Sequence, residues 1–323
     1  MQSIIALGFF DGVHLGHGEL LARTAALAAA TGWRSLALTF DRSPGKDGRL
    51  LTTVSDRVRL IRSLYGIQAV EVLPFTEDFK HLPWEAFLAL LVRDYEAAHL
   101  ICGWDYRFGY LGQGTPALLG DWCRAQGLGW DVIPPLVIDG VTVSSTHLKV
   151  LIEAGDVETA ARFYGHPHTI SGVVQSGRHL GHKLGFPTAN LLPPPELVLP
   201  KDGVYAVRAV VCHSERSEES ASPAFHATTG VGRTDPSAPL RGPQDDGGVY
   251  IGVCNVGTRP TVGGHHRTVE TWLDGFEGEL YGRQLTVDFH RRLREERKFD
   301  SLEALRQQVE RDKAAALAYF SAL

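Results

Sequence analysis

Residues 4–17, IIALGFFDGVHLGH, decide the fold of the first half of the chain. Their apolar start, 4–10, predicts a buried strand, and the Ala- and Leu-rich run 19–31 predicts a helix that ends at Gly32. Strand patterns then continue to alternate with helix patterns. This alternation predicts a doubly wound parallel sheet, in which ligands bind beyond the carboxyl ends of the strands. The predicted strands are 4–10, 35–40, 69–75, 99–104 and 130–135, and the predicted helices are 19–31, 55–64, 84–95 and 117–126.

The second half of the chain carries a different pattern. A short helix is predicted at 157–164, and several short apolar runs with frequent turns then predict a small β-barrel or sandwich. A terminal helix is predicted to begin at Asp300 or Ser301, with Glu303 as a partner of the cap. Its predicted apolar stripe consists of Leu302, Leu305, Val309, Leu317 and Phe320.

We therefore predict two domains, 1–155 and 156–323, which suits a chain of 323 residues. The segment 213–248 contains few large apolar residues, so we predict a disordered insert between two strands. An insert of this kind needs no function, because the cost of closing a loop grows slowly with its length. A regulatory or partner-binding loop is the alternative.

Composition excludes several classes of protein. Apolar residues make up 44% and charged residues 21%, and 32 basic against 37 acidic residues give a net charge of −5. These values are typical of a soluble globular protein that does not bind nucleic acid. No apolar run is long enough for a membrane span, and the N-terminus lacks the features of a secretion signal, so we expect a cytoplasmic protein. Nothing in the sequence implies an oligomer. The four cysteines are too scattered for a disulfide framework or a structural zinc site: Cys102, Cys123, Cys212 and Cys254.

Glycine is over-represented, with 35 of the 323 residues against about 7% in average proteins. In the opening motif, Gly12 and Gly16 allow the backbone to approach a ligand closely, and the start of a helix attracts anions. His14 and His17 can donate hydrogen bonds to phosphate oxygens there. Without the strand–loop–helix context, such a histidine pair is more often structural.

The run FDGVHLGH resembles the HxGH signature of nucleotidyltransferases, in the form found in bacterial FAD synthetases. Further matches follow in order at 51–53 (LTT), 103–109 (GWDYRFG) and 144–146 (SST). The resemblance implies that His14 and His17 are catalytic and that ATP is bound by Gly8, Asp11, Gly12, Gly16, Ser144, Ser145, Thr146 and Lys149. It places FMN near Asp105, Tyr106, Arg107 and Phe108, although the two aromatic residues are equally well explained as core residues. The chain departs from the family at 144–149, which reads SSTHLK instead of SSTRIR, and at Ser43-Pro44 instead of His-Pro.

A second glycine cluster, GRHLGHKLGFPTAN at 177–190, is neither a Walker A nor a GxGxxG sequence. Taken alone, it indicates a flap over phosphates, with Thr188 and Asn190 as candidate turn formers. Its end, GFPTAN, resembles the signature of riboflavin kinases, and segments at 202–207, 254–261, 269–273 and 280–289 agree. The resemblance implies that Thr188 and Asn190 bind Mg²⁺ with ATP and that Glu270 is the catalytic base. It also implies that Gly177, Gly181, Lys183 and Gly185 contact phosphate. His182 stands where the family often has arginine.

Together the two signatures predict a bifunctional enzyme that phosphorylates riboflavin to FMN with ATP and then adenylylates FMN to FAD, releasing pyrophosphate. Direct attack of substrate on ATP needs no enzyme nucleophile. Two alternatives stay open at this point. One is a riboflavin kinase whose transferase half is impaired, which the SSTHLK departure suggests. The other is a flavin- or nucleotide-sensing protein without turnover.

Overall fold

The computed structural model describes residues 1–43, 48–175, 188–212, 248–261 and 264–323. The predicted phosphate contacts Gly177, Gly181, Lys183 and Gly185 lie outside the described residues, as does the predicted insert apart from Gly248. The chain divides into two compact units. The first unit contains Met1–Val150 with Glu196–Val198, and the second contains Leu151–Pro195 with Leu199–Leu323.

The first unit is built on a parallel sheet of five strands in the order β3-β2-β1-β4-β5, which confirms the predicted fold. These strands are β1 Ser3–Leu7, β2 Arg34–Phe40, β3 Ala69–Leu73, β4 Ala97–Gly103 and β5 Gly129–Ile133. The strand order reverses between β1 and β4. Loops that leave the carboxyl ends of these two strands therefore border the crevice where such sheets bind ligands.

Helices connect these strands: α1 Leu15–Thr31, α2 Val54–Tyr65, α3 Glu77–Lys80, α4 Trp84–Tyr95 and α5 Pro116–Gln126. A further helix, α6 Ser145–Ala154, begins in this unit after the last strand. A small hairpin, β6 Val137–Ile138 with β7 Val141–Thr142, precedes α6. Apolar side chains from the sheet and from α4, including Leu38, Leu100 and Phe87, form the core.

Three local predictions in this unit were wrong. Strand β1 ends at Leu7 and not at residue 10, because Phe10 has a left-handed backbone (φ 54°) that a strand does not allow. Helix α1 begins at Leu15 and not at Glu19, so the histidine motif is part of the helix start. Helix α6 was not predicted, and it begins within the serine and threonine cluster.

The second unit contains an antiparallel sheet of six strands in the order β8-β13-β10-β11-β12-β9. Its strands are β8 His168–Val173, β9 Thr188–Leu191, β10 Gly203–Cys212, β11 Val249–Thr261, β12 Gly264–Leu273 and β13 Gln284–Arg294. An antiparallel bridge between Gln175 and Asn190 joins the two edges, so the sheet closes towards the predicted barrel. Buried side chains such as Tyr205 and Phe289 fill its interior.

Two helices complete this unit: α7 Val157–Tyr164, as predicted, and α8 Leu302–Ser321. The cap of α8 is Ser301, whose hydroxyl accepts from the Ala304 N–H, so Glu303 is not the cap partner. The predicted apolar stripe is also wrong at Leu302, which is 65% exposed. Asp312 is buried in the middle of the helix instead, because the Arg294 guanidinium neutralises it with a contact of 2.7 Å.

Among the described residues, no helix combines the length and apolar character that a membrane span requires.

Candidate active sites

The loop 8–14 connects β1 to α1 and has an unusual backbone. Phe10, Gly12 and Val13 all have left-handed φ values of 54°, 81° and 43°. This region suits Gly12, but for a β-branched residue such as Val13 it is rare. Each non-glycine residue held there costs about 1–3 kcal/mol, and such strain clusters at functional sites. The surrounding structure must therefore hold this loop in place.

Asp11 anchors the loop from inside the protein. Its carboxylate accepts hydrogen bonds from the N–H groups of Leu51 (2.9 Å) and Thr52 (3.1 Å), and the Thr52 hydroxyl accepts from the Gly12 N–H at 3.1 Å. Burial raises the pKa of Asp11, although the charge of Arg57 and these N–H donors oppose the shift. These bonds hold the loop against residues 51 and 52, so Asp11 shapes the loop. Its contact with ATP stays a prediction.

The two histidines of the motif form a stacked pair at the start of α1. Their ring centroids are 3.6 Å apart with a tilt of 14°. His14 is the N-cap of the helix, since its Nδ1 accepts from the His17 N–H at 3.2 Å. In the neutral imidazole this bond places the proton on Nε2, which is then a hydrogen-bond donor. A Cβ at Gly16 would lie 3.2 Å from His14 Nδ1, so glycine leaves room for the His14 ring.

The imidazole of His17 is uncharged at pH 7 in the absence of a ligand. Burial, followed by the neighbouring charges of His14 and Arg57, lowers the pKa of His17 well below its ordinary value. A nearby triphosphate would have the opposite effect, because a negative charge favours the protonated imidazole. The site can therefore respond to a phosphate group by gaining positive charge.

A second helix begins beside the first. Ser144 caps α6, since its hydroxyl accepts from the His147 N–H at 3.3 Å. The next residue, Ser145, donates from its hydroxyl to the carbonyl oxygen of Asp11 at 2.9 Å. This bond joins the start of α6 to the loop that leads into α1. Two helix N-termini are thus joined, and their partial positive charges would favour an anion bound beside them.

The remaining members of the serine and threonine cluster lie along the first turns of α6. Thr146 is exposed, and Lys149 is half-buried. The charge of Lys149 lowers the pKa of Asp11, so the ammonium group lies within electrostatic reach of the loop. No acidic residue occurs in the first turn of α6, which preserves the positive character of this site.

The loop after β4 carries the residues expected near flavin. Asp105 and Arg107 are exposed, whereas Phe108 is buried in the core and stacks on Tyr106 with centroids 5.6 Å apart. Phe108 also packs against Phe87, so its ring has a structural role. Tyr106 is half-buried, and among the described residues its hydroxyl finds no hydrogen-bond partner.

In the second unit, strands β9 and β12 bring the predicted kinase residues together. Asn190 lies directly opposite Glu270 in the antiparallel register, and Thr188 lies opposite Trp272. The Thr188 hydroxyl donates to Glu270 Oε1 at 3.4 Å. Residues two apart on a strand share a face, so the Thr188 hydroxyl, the Asn190 amide and the Glu270 carboxylate form one cluster of oxygen-bearing side chains.

Comparisons with known proteins agree with this division of chemistry. The FAD synthetase family model matches residues 1–147, and the riboflavin kinase family model matches residues 164–320. The chain is 30% identical to a Bacillus subtilis protein named bifunctional riboflavin kinase/FMN adenylyltransferase, and the match covers 100% of this chain and 94% of that protein. A Pseudomonas fluorescens protein of the same name is 33% identical, with 98% and 92% covered. The chain belongs to this bifunctional family.

A similarly named protein of Escherichia coli K12 is 30% identical, and the match covers 98% of this chain. Among solved structures, one named a macrolide-efflux protein, from Streptococcus pneumoniae, has a TM-score of 0.76 at 24% identity and covers 98% of this chain and 93% of its own. This structural likeness shows the fold alone.

Two residues close to the candidate sites were not predicted from the motifs. Arg57 is fully buried beneath the loop 8–14, and Asn255 lies opposite Glu270 in the register of β11 and β12. The LTT match at 51–53 has a structural role, because the N–H groups of Leu51 and Thr52 donate to the Asp11 carboxylate. A polar residue inside the apolar face of a predicted helix was the available signal for Arg57.

Proposed function

We propose that the second unit phosphorylates riboflavin and that the first unit converts the product to FAD. The riboflavin 5′-hydroxyl attacks the γ-phosphate of ATP, giving FMN and ADP. The FMN phosphate then attacks the α-phosphate of a second ATP, giving FAD and pyrophosphate. The observation that carries this proposal is the presence in one chain of two separate sites with different chemistry, one an anion site at paired helix ends and the other a carboxylate with oxygen donors.

In adenylyl transfer, charge develops on the phosphate oxygens as the α-phosphate is attacked. We infer that His14, through Nε2, and His17 stabilise this charge, together with the N-termini of α1 and α6. The start of α6 is formed by Ser144, Ser145 and Thr146, and Lys149 adds a positive charge. Gly8, Gly12 and Gly16 allow the backbone to approach ATP. We place the FMN ring near Asp105, Tyr106, Arg107 and the edge of Phe108.

In phosphoryl transfer, we assign Glu270 as the base that takes the proton from the riboflavin hydroxyl. Thr188 and Asn190 would hold Mg²⁺, and their hydroxyl and amide oxygens fit this ion, which prefers oxygen ligands. When bound, Mg²⁺ neutralises charge on the phosphates. The hydrogen bond from Thr188 keeps the Glu270 carboxylate on the face that carries the Mg²⁺ ligands.

The departures from the family pattern leave a kinase with an impaired transferase as the second candidate. Lys149 keeps a positive charge where arginine is usual, but it lacks the planar fork that binds phosphate with two hydrogen bonds. Purified protein is incubated with magnesium and ATP, once with riboflavin and once with FMN, and products are separated by chromatography. We expect FMN in the first reaction and FAD in the second. FMN without FAD would favour the impaired enzyme, and tight flavin binding without either product would favour a sensor.

The cytoplasm is the compartment we propose. The three described cysteines, Cys102, Cys123 and Cys254, are free thiols, which suits a reducing environment.

A further inference from the structure

Arg57, on α2, is a fully buried arginine close to the loop 8–14. Its Nη1 donates to the Thr39 hydroxyl at 3.1 Å and to the Phe40 carbonyl oxygen at 2.9 Å. Its guanidinium carbon lies 4.2 Å from the centroid of the Phe9 ring. Within the described part of the chain, Nε and Nη2 find no acceptor. A buried cation with unpaired donors disfavours folding, so its place here points to a purpose other than stability.

Two interactions connect this guanidinium to the loop 8–14. The first runs through Thr39, whose hydroxyl accepts from Arg57 and donates to the Phe9 carbonyl oxygen at 2.7 Å. The second is electrostatic, because the positive charge of Arg57 favours the ionised form of the buried Asp11 carboxylate and lowers its pKa. Ionised Asp11 is the acceptor for the N–H groups that precede α2. Arg57 thus acts on the loop at Phe9 and at Asp11, on both sides of the strained Phe10.

The same helix also holds the start of α1. Tyr65, at the end of α2, packs so closely against Gly18 that a Cβ there would collide with its hydroxyl. Gly18 is one residue beyond His17, in the first turns of α1. Helix α2 therefore supports the loop with Arg57 at one end and the helix that carries the histidines with Tyr65 at the other.

We propose that Arg57 is a positioning residue for adenylyl transfer, which holds the strained loop through Thr39 and Asp11 so that His14 stays aligned with the reacting phosphate. This inference rests on the function proposed above. Arg57 itself is fully buried, so it offers no surface for contact with ATP. Its effect is expected on the rate of the chemical step more than on ATP binding, because alignment matters most in the transition state.

Two pairs of variants test the proposal. Thr39→Val keeps the shape of the side chain but removes the hydroxyl that joins Arg57 to Phe9, whereas Thr39→Ser keeps the hydroxyl. Arg57→Met removes the charge, and Arg57→Lys keeps it. Arg62→Met, on the exposed side of the same helix, is the matched control. Initial rates of FAD formation from FMN and ATP give kcat and KM for each variant, and riboflavin phosphorylation in the same chain calibrates the amount of enzyme.

We expect Thr39→Val and Arg57→Met to lower kcat by about tenfold to a hundredfold, the range that a small misplacement of a catalytic group can produce. The KM for ATP should change by less than about threefold. Thr39→Ser should restore most of the rate, and Arg57→Lys should be intermediate. The ¹⁵N chemical shift of His14 Nδ1 gives an independent readout, since this atom accepts a hydrogen bond in the wild-type protein. Its shift should move in the slow variants and not in Arg62→Met.

The experiment distinguishes a wrong positioning role for Arg57 from a wrong transferase activity. If the wild-type chain makes no FAD from FMN, the proposed transferase activity is wrong. If the wild-type chain is active and a folded Thr39→Val variant keeps its kcat within twofold, the positioning role is wrong. A rise in KM with unchanged kcat also overturns it. If thermal unfolding shows that Arg57→Met is not folded, the comparison of Thr39→Val with Thr39→Ser decides.

Discussion

Replacing Glu270 with glutamine should separate the two activities of the chain. Glutamine has the shape of glutamate, and its amide oxygen can still accept the hydrogen bond that Thr188 donates to Glu270 at 3.4 Å. Glu270 is half-buried on a strand, with Asn190 opposite on one side and Asn255 opposite on the other, so an uncharged amide fits among these neighbours. The free energy of unfolding should therefore change by no more than about 0.5 kcal/mol.

The chemical consequence should be much larger. An amide cannot accept the proton of the riboflavin hydroxyl, and a positioned general base contributes about 10²- to 10⁴-fold to a rate. The kcat for FMN formation should fall by this factor, which corresponds to about 3–5 kcal/mol in activation free energy. FAD formation from supplied FMN should stay unchanged, because the transferase residues lie in the other unit.

The assay measures ADP release with riboflavin and pyrophosphate release with FMN, each at saturating ATP and magnesium. Glu158→Gln is the matched control, since Glu158 is half-exposed on α7 and forms an ion pair with Arg291. If Glu270→Gln keeps FMN formation within threefold of wild type, Glu270 is not the base. If FAD formation falls with it, the two sites are not independent.

Three further predictions concern other parts of the molecule. In His14→Asn the new residue can still cap helix α1, so riboflavin phosphorylation should be unchanged. FAD formation should fall by about 10²- to 10³-fold in the pyrophosphate assay, because the imidazole donor is lost. A loss below threefold would contradict the role of the imidazole. Burial, and then the charge of Arg208, lower the pKa of His290 from its ordinary value of 6.5 to about 4. As the pH falls from 6.5 to 4, the unfolded chain therefore takes up a proton on His290 that the folded chain does not, and the free energy of unfolding should decline by about 3 kcal/mol. Urea unfolding should show a flatter pH dependence for His290→Phe, and identical curves would refute it. Val210 pairs with Val249, so a short turn in place of residues 213–247 should close this hairpin. Both activities and the midpoint of unfolding should be preserved, whereas loss of either activity would show that the insert has a function.

The motifs name Thr188, Asn190 and Glu270, and the structure brings these three residues together because they are close in the strand register. Thr188 and Asn190 are two apart on one strand, and the pattern of β12 places Glu270 on an outward face. What the motifs did not predict is the Asn255 neighbour, since the pairing of β11 with β12 depends on the whole sheet.

The parallel first unit, the antiparallel second unit and the positions of both signatures can be read from the sequence, because periodicity and turn residues act over short distances along the chain. How the loop 8–14 is held in place follows only from the folded structure. The bonds that do so join residues far apart in sequence, Asp11 to Leu51 across 40 residues and Asp11 to Ser145 across 134. Local patterns contain no information on such pairings. For this reason the inward turn of Asp11, the cap formed by His14 and the buried charge of Arg57 follow from packing and not from the motif.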